Sequence, residues 1–345
     1  MAAPNILCDC TGMSEKRWLE CREHGPKGDI EYTVGGSDVA VIFGLSPWTT
    51  PLELWMVKKG RMKPKAPPNP KQLLMGHMLE PIAAHFYGLQ TGNTVIDDNH
   101  LYQHANLEYA LANIDRRYMR KEDGESGVLE CKSLTYHKAA DWADGAIPIY
   151  YELQLRYYLA VMDQRHGAFS ALWGNNPEHD LATPHIERDQ AKEDIIFEKL
   201  DRWIWSLRHD KPPTMEDVKP NLAMAALARI YGASKKGLPT IEFPMKFEPK
   251  LRKIAALQKE NTELKGMIKK NEEAIEAHSV RIAELMKNHE HGILTTTTDK
   301  LLVDFATEVT KRVNSDYLKK EYPSVYTEAL RSSKSRKIKV TIQPV

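Results

Sequence analysis

The order of elements predicts an α/β (α+β) fold, and two observations carry that expectation. Strand-like and helix-like stretches are interleaved through the first 210 residues. Behind them, Lys211-Pro212-Pro213 ends the pattern and leads to one long polar helix. With 345 residues, 42% hydrophobic and 28% charged, the chain is long enough for one large core plus an appendage. The composition excludes a disordered chain, and four cysteines are too few for a disulfide scaffold.

Residues 62–71 hold four prolines and read as a loop. From Lys71 to Leu89, Leu74, Met78, Ile82, His85 and Phe86 recur at helical spacing, with Gly88 and Gly92 near the end. Segments 107–119 and 126–134 are strand-like and flank the turn-rich Lys121-Glu122-Asp123-Gly124-Glu125, so they predict a hairpin. Pro148 opens a helix to about Met162, His166 to Trp173 reads as a strand, and Gln190 to Arg208 as a helix. Residues 1–210 are therefore expected to form the core domain and 211–249 a linker. A helix follows over 250–291, where Ile254, Leu257, Asn261, Leu264, Ile268, Asn271, Ile275, His278, Ile282 and Leu285 step by three and four. Such a seam is expected either to self-associate as a coiled coil or to pack on its own domain. Residues 292–345 read as a small β-rich module ending in the basic run Arg331–Lys339.

The formal charge is only +1, yet it is unevenly spread. Residues 211–345 hold 25 Lys+Arg against 17 Asp+Glu, a charge of +8, which leaves 23 against 30, or −7, for residues 1–210. A neutral total argues against coating nucleic acid by bulk charge and leaves room for a local basic site. No run of about 18 apolar residues is present, so no transmembrane helix is expected. No charged and apolar leader pattern opens the chain, so an intracellular, cytoplasmic location is expected.

The chemistry is concentrated in the hairpin and its flanking helices. Glu130 and Lys132 are two apart in a strand and share a face, while Leu129 and Cys131 face the other way. A paired strand can bring Asp115 beside them. Two carboxylates and a lysine suit Mg²⁺, a hard cation that keeps waters and takes phosphate oxygens. The lysine would orient or deprotonate the attacking water or neutralise developing charge. On its own this string reads more readily as a surface ion pair on a hairpin. Glu80 on the preceding helix and Gln154 on the following one add to it.

These motifs, taken in order, give a resemblance. They are Trp18-Leu19-Glu20-Cys21-Arg22, Gly35-Gly36-Ser37-Asp38-Val39-Ala40, Gly44-Leu45-Ser46-Pro47-Trp48, Thr50-Pro51-Leu52-Glu53-Leu54 and Gly76 to Pro81. Ala112-Asn113-Ile114-Asp115, Leu129-Glu130-Cys131-Lys132-Ser133 and the Gln154 helix complete them. Over about residues 15–210 the chain resembles the YqaJ-like viral recombinases, lambda-exonuclease-like members of the PD-(D/E)xK nuclease superfamily. Arg312-Val313 through Leu318-Lys319, Tyr322-Pro323 and Ser335-Arg336 resemble the extension of longer members.

The resemblance implies a restriction-endonuclease-like core, a central mixed sheet flanked by helices. It implies a Mg²⁺-dependent exonuclease, with Mn²⁺ as a substitute, that digests one strand of duplex DNA 5′→3′. The 3′ overhang would pass to a single-strand annealing protein, and a homotrimer in the cytoplasm of a phage-bearing bacterium is expected. Asp115, Glu130 and the Cys131 carbonyl would hold metal, with Glu80 beside it. Lys132 would position or activate water, and Gln154 would orient the nucleophile or Lys132. Ser37 and Arg22 would hold the 5′ phosphate, although residues 26–31 here separate Arg22 from the Gly-Gly-Ser turn. Arg116 and Arg117 follow the aspartate where glycine is common, and Arg156 replaces a second glutamine; all three would contact DNA. The alternatives are an endonuclease on the same core or an inactive DNA-binding scaffold.

Two other signals bear on ligands. Cys8, Cys10, Cys21 and His24 are expected as free groups, with a zinc site as the alternative. Tyr150, Tyr151, Tyr157, Tyr158 and Trp142 are expected in the core, with stacking on unpaired bases as the alternative.

Overall fold

The computed structural model describes residues 3–65, 69–173, 181–232, 237–308, 310 and 313–330. The chain divides into two compact units, Met1–Gly232 and Ala233–Val345.

In the first unit, β1 (Asn5–Asp9) leads to α1 (Glu15–His24), capped by the Ser14 hydroxyl. Helices α2 (Gly36–Ile42), α3 (Pro51–Lys58) and α4 (Pro70–Thr91) follow. A capping box starts α3: the Thr50 hydroxyl accepts from the Glu53 N–H at 3.3 Å, and Glu53 accepts from the Thr50 N–H at 2.9 Å. Strands β2 (Thr94–Asp97), β3 (His100–His104), β4 (Leu107–Ala112), β5 (Arg116–Met119) and β6 (Ser126–Ser133) come next. They are followed by α5 (Ile149–Met162), β7 (His166–Leu172), β8 (Leu181–Ala182), β9 (His185–Glu187), α6 (Gln190–Arg208) and α7 (Pro220–Tyr231).

The central sheet is mixed, in the order β2-β5-β6-β7-β8, with β9 also pairing β7. Its β6 and β7 are parallel and joined through α5, a βαβ unit, while β5 and β6 form the expected antiparallel hairpin. Strands β1, β3 and β4 make a separate antiparallel sheet. The fold is thus α/β with a mixed sheet flanked by helices, as expected. One segment differs: 107–119 is two strands in two sheets, and the chain crosses between them at residues 113–115. That crossing is what leaves Asp115 free of a ladder.

The core packs α2, α5 and α6 on one face of the sheet, around Trp55, Tyr157, Phe169 and Leu200. On the other face α4 packs through Ala83, Ala84 and Tyr87 onto Leu129, Cys131 and Ala168. The side chains that suggested this helix, Leu74, Met78, Ile82 and Phe86, are exposed, because small residues let α4 lie close on the strands. The first unit also runs past the expected boundary at 210. Helix α7 buries Ala223 and Ala226, and its Arg229 reaches Glu53 at 2.6 Å.

In the second unit, α8 (Glu248–Met286) is a single 39-residue helix. Its seam residues Leu257, Leu264, Ile268, Ile275, Ile282 and Leu285 are exposed. Strands β10 (His291–Thr295) and β11 (Lys300–Asp304) form an antiparallel pair, followed by α9 (Ser315–Glu321) and α10 (Pro323–Ala329). Arg312 and the basic run from Arg331 lie outside the described residues. Among the described residues no helix is long and apolar enough to cross a membrane.

Candidate active site

Alternation along β6 sorts its side chains to the two faces of the sheet. Leu129 and Cys131 turn to α4, and Glu130 and Lys132 turn to α5. The β5–β6 register pairs Arg116 with Leu129, so Asp115 lies one step further along, opposite Glu130. There an Asp115 carboxylate oxygen accepts from the Cys131 N–H at 2.8 Å.

Glu130 is 1% exposed. Its Oε1 accepts from the Lys132 ammonium and from the Gln154 amide, the latter at 2.6 Å. Gln154 also meets the Tyr158 hydroxyl at 3.3 Å, and Lys132 lies 5.2 Å over the Tyr151 ring. Burial and the charge of Asp115 push the Glu130 carboxyl up to about 8, against the opposing pull of Lys132. Burial lowers Lys132, yet Glu130 and Asp115 outweigh it and hold the ammonium charged. Glu80 on α4 faces the same cleft, raised by burial and by Asp115 and partly offset by Arg116.

A cleft of about 780 Å³ joins these groups: Glu80, Asp115, Glu130, Cys131, Lys132 and Gln154 all line it, as do Ser37, Arg22 and Trp18. Arg22 does reach the Gly-Gly-Ser turn. Its guanidinium is 3.3 Å from where a Cβ on Gly35 would lie, and it stacks over Trp18 at 4.6 Å. Trp18 in turn donates to the Asn113 side chain at 2.8 Å, which ties α1 to the strand end before Asp115. Gly36 is required here, since a Cβ would lie 2.5 Å from the Tyr158 ring.

The three arginines expected on DNA each have ion-pair partners within the chain. Arg116 bridges Glu80 at 2.7 Å and Asp97 at 2.8 Å and so orients the Glu80 carboxylate. Arg117 donates to Asp98 at 2.5 Å and to the Tyr102 hydroxyl at 3.0 Å. Arg156 is 9% exposed and bonds Glu152 at 2.7 Å and the Glu187 carbonyl at 3.3 Å. Arg116 and Arg117 pair with residues from elsewhere in the chain, whereas Arg156 pairs with Glu152 one turn earlier on its own helix.

Asp98, also unannounced, borders the cleft and accepts from Tyr102, His100 and Arg117. Burial raises its carboxyl, but Arg117, Tyr102 and His100 together hold it below the ordinary carboxylate range. The depressed value means that this stabilisation is fully present above the unfolded pKa and is lost as pH falls through the folded one. Asp98→Asn is therefore expected to lower the melting temperature at pH 7. The gap from the native chain should close as pH drops below about 4. A gap that persists unchanged at pH 2.5 in a thermal melt would contradict this reading.

Glu130 also decides whether a metal fits. Its Oε2 is buried and has no hydrogen-bond partner. A carboxylate oxygen in that state is costly unless a cation meets it. Among the described residues no group of three or more His, Cys, Asp or Glu side chains is placed to hold a metal ion by itself. The donors at hand suit Mg²⁺, which binds through one or two carboxylates and keeps waters. Cys8, Cys10 and Cys21 are free thiols, Cys8 pushed up to about 12 by burial and by Cys10. His24 Nδ1 lies 3.4 Å from the Ile30 carbonyl oxygen.

Residues 17–165 match the YqaJ-like viral recombinase domain. Over those residues the chain is similar to that family. The match ends just before β7, so β7 to β9, α6, α7 and the second unit lie beyond it. The chain is similar to the YqaJ protein of Bacillus subtilis strain 168, 26% identical over 335 residues, or 96% of each chain. Among solved structures it is similar to an alkaline exonuclease from Laribacter hongkongensis. That likeness has 19% identity and a TM-score of 0.46 over 57% of this chain and 94% of the other. A phage-related exonuclease from Haemophilus somnus 129PT aligns at 14% identity and a TM-score of 0.38, over 51% and 93%.

Proposed function

We propose that the YqaJ-like domain is a Mg²⁺-dependent 5′→3′ exonuclease that degrades one strand of duplex DNA to 5′ mononucleotides. The observation that carries this is Glu130: one oxygen is held by Lys132 and Gln154, and the other is buried without a partner near Asp115 and Glu80. Asp115, Glu130 and the Cys131 carbonyl would hold the cation, with Glu80 beside it, and Mn²⁺ would substitute. The cation supplies Lewis acidity at the phosphate and a bound water of lowered pKa.

The protein's own groups do the rest. Lys132, a charged ammonium at the cleft wall, orients the attacking water and offsets charge developing on the phosphate. Gln154 fixes the Glu130 carboxylate and, through Tyr158, the Gly36 turn. Ser37 and Arg22 take the terminal 5′ phosphate, since exposed Ser37 and the Arg22 fork meet at that turn. Terminal recognition of this kind favours an exonuclease over an endonuclease on the same core.

The 3′ overhang would serve a single-strand annealing protein in the cytoplasm of a phage-bearing bacterium. A homo-oligomer, a trimer by family resemblance, would surround the duplex, and the exposed seam of α8 is a candidate for joining copies. The test is digestion of linear duplex labelled at the 5′ ends, with and without a 5′ phosphate, beside a closed circular duplex. Early release of labelled mononucleotide, dependent on Mg²⁺ and faster with the phosphate, is expected. Cutting of the closed circle would overturn the exonuclease reading.

A further inference from the structure

Helix α8 presents one apolar seam along its 39 residues, and of its side chains only Met286, at the end, is buried. From Ile254 to Leu285 the seam is roughly 46 Å long. An exposed apolar stripe of this length marks an interaction surface. We propose that it pairs with α8 of a second copy of this chain, as a two-stranded, parallel, in-register coiled coil. The inference rests on the reading of α8 as the element that joins copies, and it is independent of the nuclease chemistry.

The residue types in the seam set the number of strands. Steps of three and four assign Ile254, Ile268, Ile275 and Ile282, with Asn261, to the first contact position of each heptad. Leu257, Leu264 and Leu285, with Asn271 and His278, fall at the second. Isoleucine at the first position with leucine at the second packs best around two strands, whereas isoleucine at both, or the reverse order, favours more. Asn261 is the single polar residue at the first position, a placement that fixes register and partner number at a cost in stability.

The polar layers set the direction. In a parallel, in-register pair every layer meets its own copy, so Asn261, Asn271 and His278 each face a polar neighbour. An antiparallel pair with its ends aligned sets Asn271 against Ile268 on both sides and strands the two amides. Staggering such a pair leaves apolar residues uncovered. The flanking charges agree with the parallel register. Glu260, just before Asn261, faces Lys265 of the partner subunit, just after Leu264, and no like-charged pair arises at the flanking positions. A twofold pair cannot close a threefold ring, so α8 joins chains two by two.

The experiment measures the mass of the full chain by light scattering, beside Ile268→Glu/Ile275→Glu, which puts charge into two central layers. Both side chains are exposed, so the variant is expected to keep the native thermal melt. The native mass is expected to be twice that of the variant; a ratio of one, or of three, would overturn the pair. Direction is read from Leu257→Cys and Ile282→Cys, each alone, treated with oxidised glutathione. Two facing thiols then form one disulfide and release reduced glutathione. Each variant is expected to give a covalent dimer on a non-reducing gel, above the level of the native chain. Antiparallel alignment would hold the two added thiols roughly 37 Å apart, so the lack of that dimer in either variant would overturn the parallel arrangement. Digestion of linear duplex by the native chain is measured alongside. Digestion with a mass ratio of one removes the pair and leaves the nuclease reading; a ratio of two without digestion does the reverse.

Discussion

Lys132→Ala is expected to slow digestion of linear duplex by about 10²–10³-fold, the loss typical of removing one preorganised charge-stabilising group. The ammonium is held in place from two sides, by Glu130 and by the Tyr151 ring at 5.2 Å. No rotamer search is needed when substrate arrives, so the group acts at full strength in a partly dry cleft. Alanine removes that charge and leaves Glu130 Oε1 with Gln154 as its remaining partner of the two. DNA binding should change far less, because the 5′ phosphate is expected to be held at Arg22 and Ser37. Lys132→Arg should not restore the rate, since a planar fork cannot replace a compact ammonium in a site of this size. A Lys132→Ala chain that digests at the native rate would remove Lys132 from the chemistry.

Arg188→Met is expected to destabilise the fold by about 3–5 kcal/mol, because it strands a buried charge. Glu193, in the first turn of α6, is 3% exposed and receives the Arg188 guanidinium on both oxygens, at 2.8 and 2.9 Å. The same guanidinium bonds Asp163 at the end of α5, while the Arg188 N–H bonds the Arg165 carbonyl at 2.8 Å. One side chain thus joins α5, α6 and the strand β9 that borders the central sheet. The expected fall in melting temperature is roughly 10 °C for a unit of this size. Adding Glu193→Leu should recover much of it, since an apolar pair replaces a broken ionic one. A fall of only a degree or two would show that Glu193 finds water instead.

The chemistry was more legible than the frame that holds it. Glu130-Cys131-Lys132 could be read because a strand puts alternate residues on alternate faces, and Asp115 because it ends an apolar strand. The break at residues 113–115 left no such mark, since both halves have strand composition and only the pairing partners differ. On α4 the large apolar residues dominated the periodicity, whereas Ala83 and Ala84 make the contact. The sequence gives no sign that Arg116 and Arg117 pair with Asp97 and Asp98, which lie on other strands or turns. Trp48 was visible as part of a motif, but its exposure and its contact with Tyr150 depend on the loop before α3 meeting α5.

Whether Glu130 and Asp115 hold a divalent cation is read by the loss of the free Mn²⁺ paramagnetic resonance signal as protein is added. The native chain is expected to deplete the signal in a saturable, Mg²⁺-competed manner. Glu130→Gln and Asp115→Asn should each leave the free signal nearly intact while keeping a native thermal melt. Equal depletion by the native chain and by both variants would place the cation elsewhere and contradict the site described here.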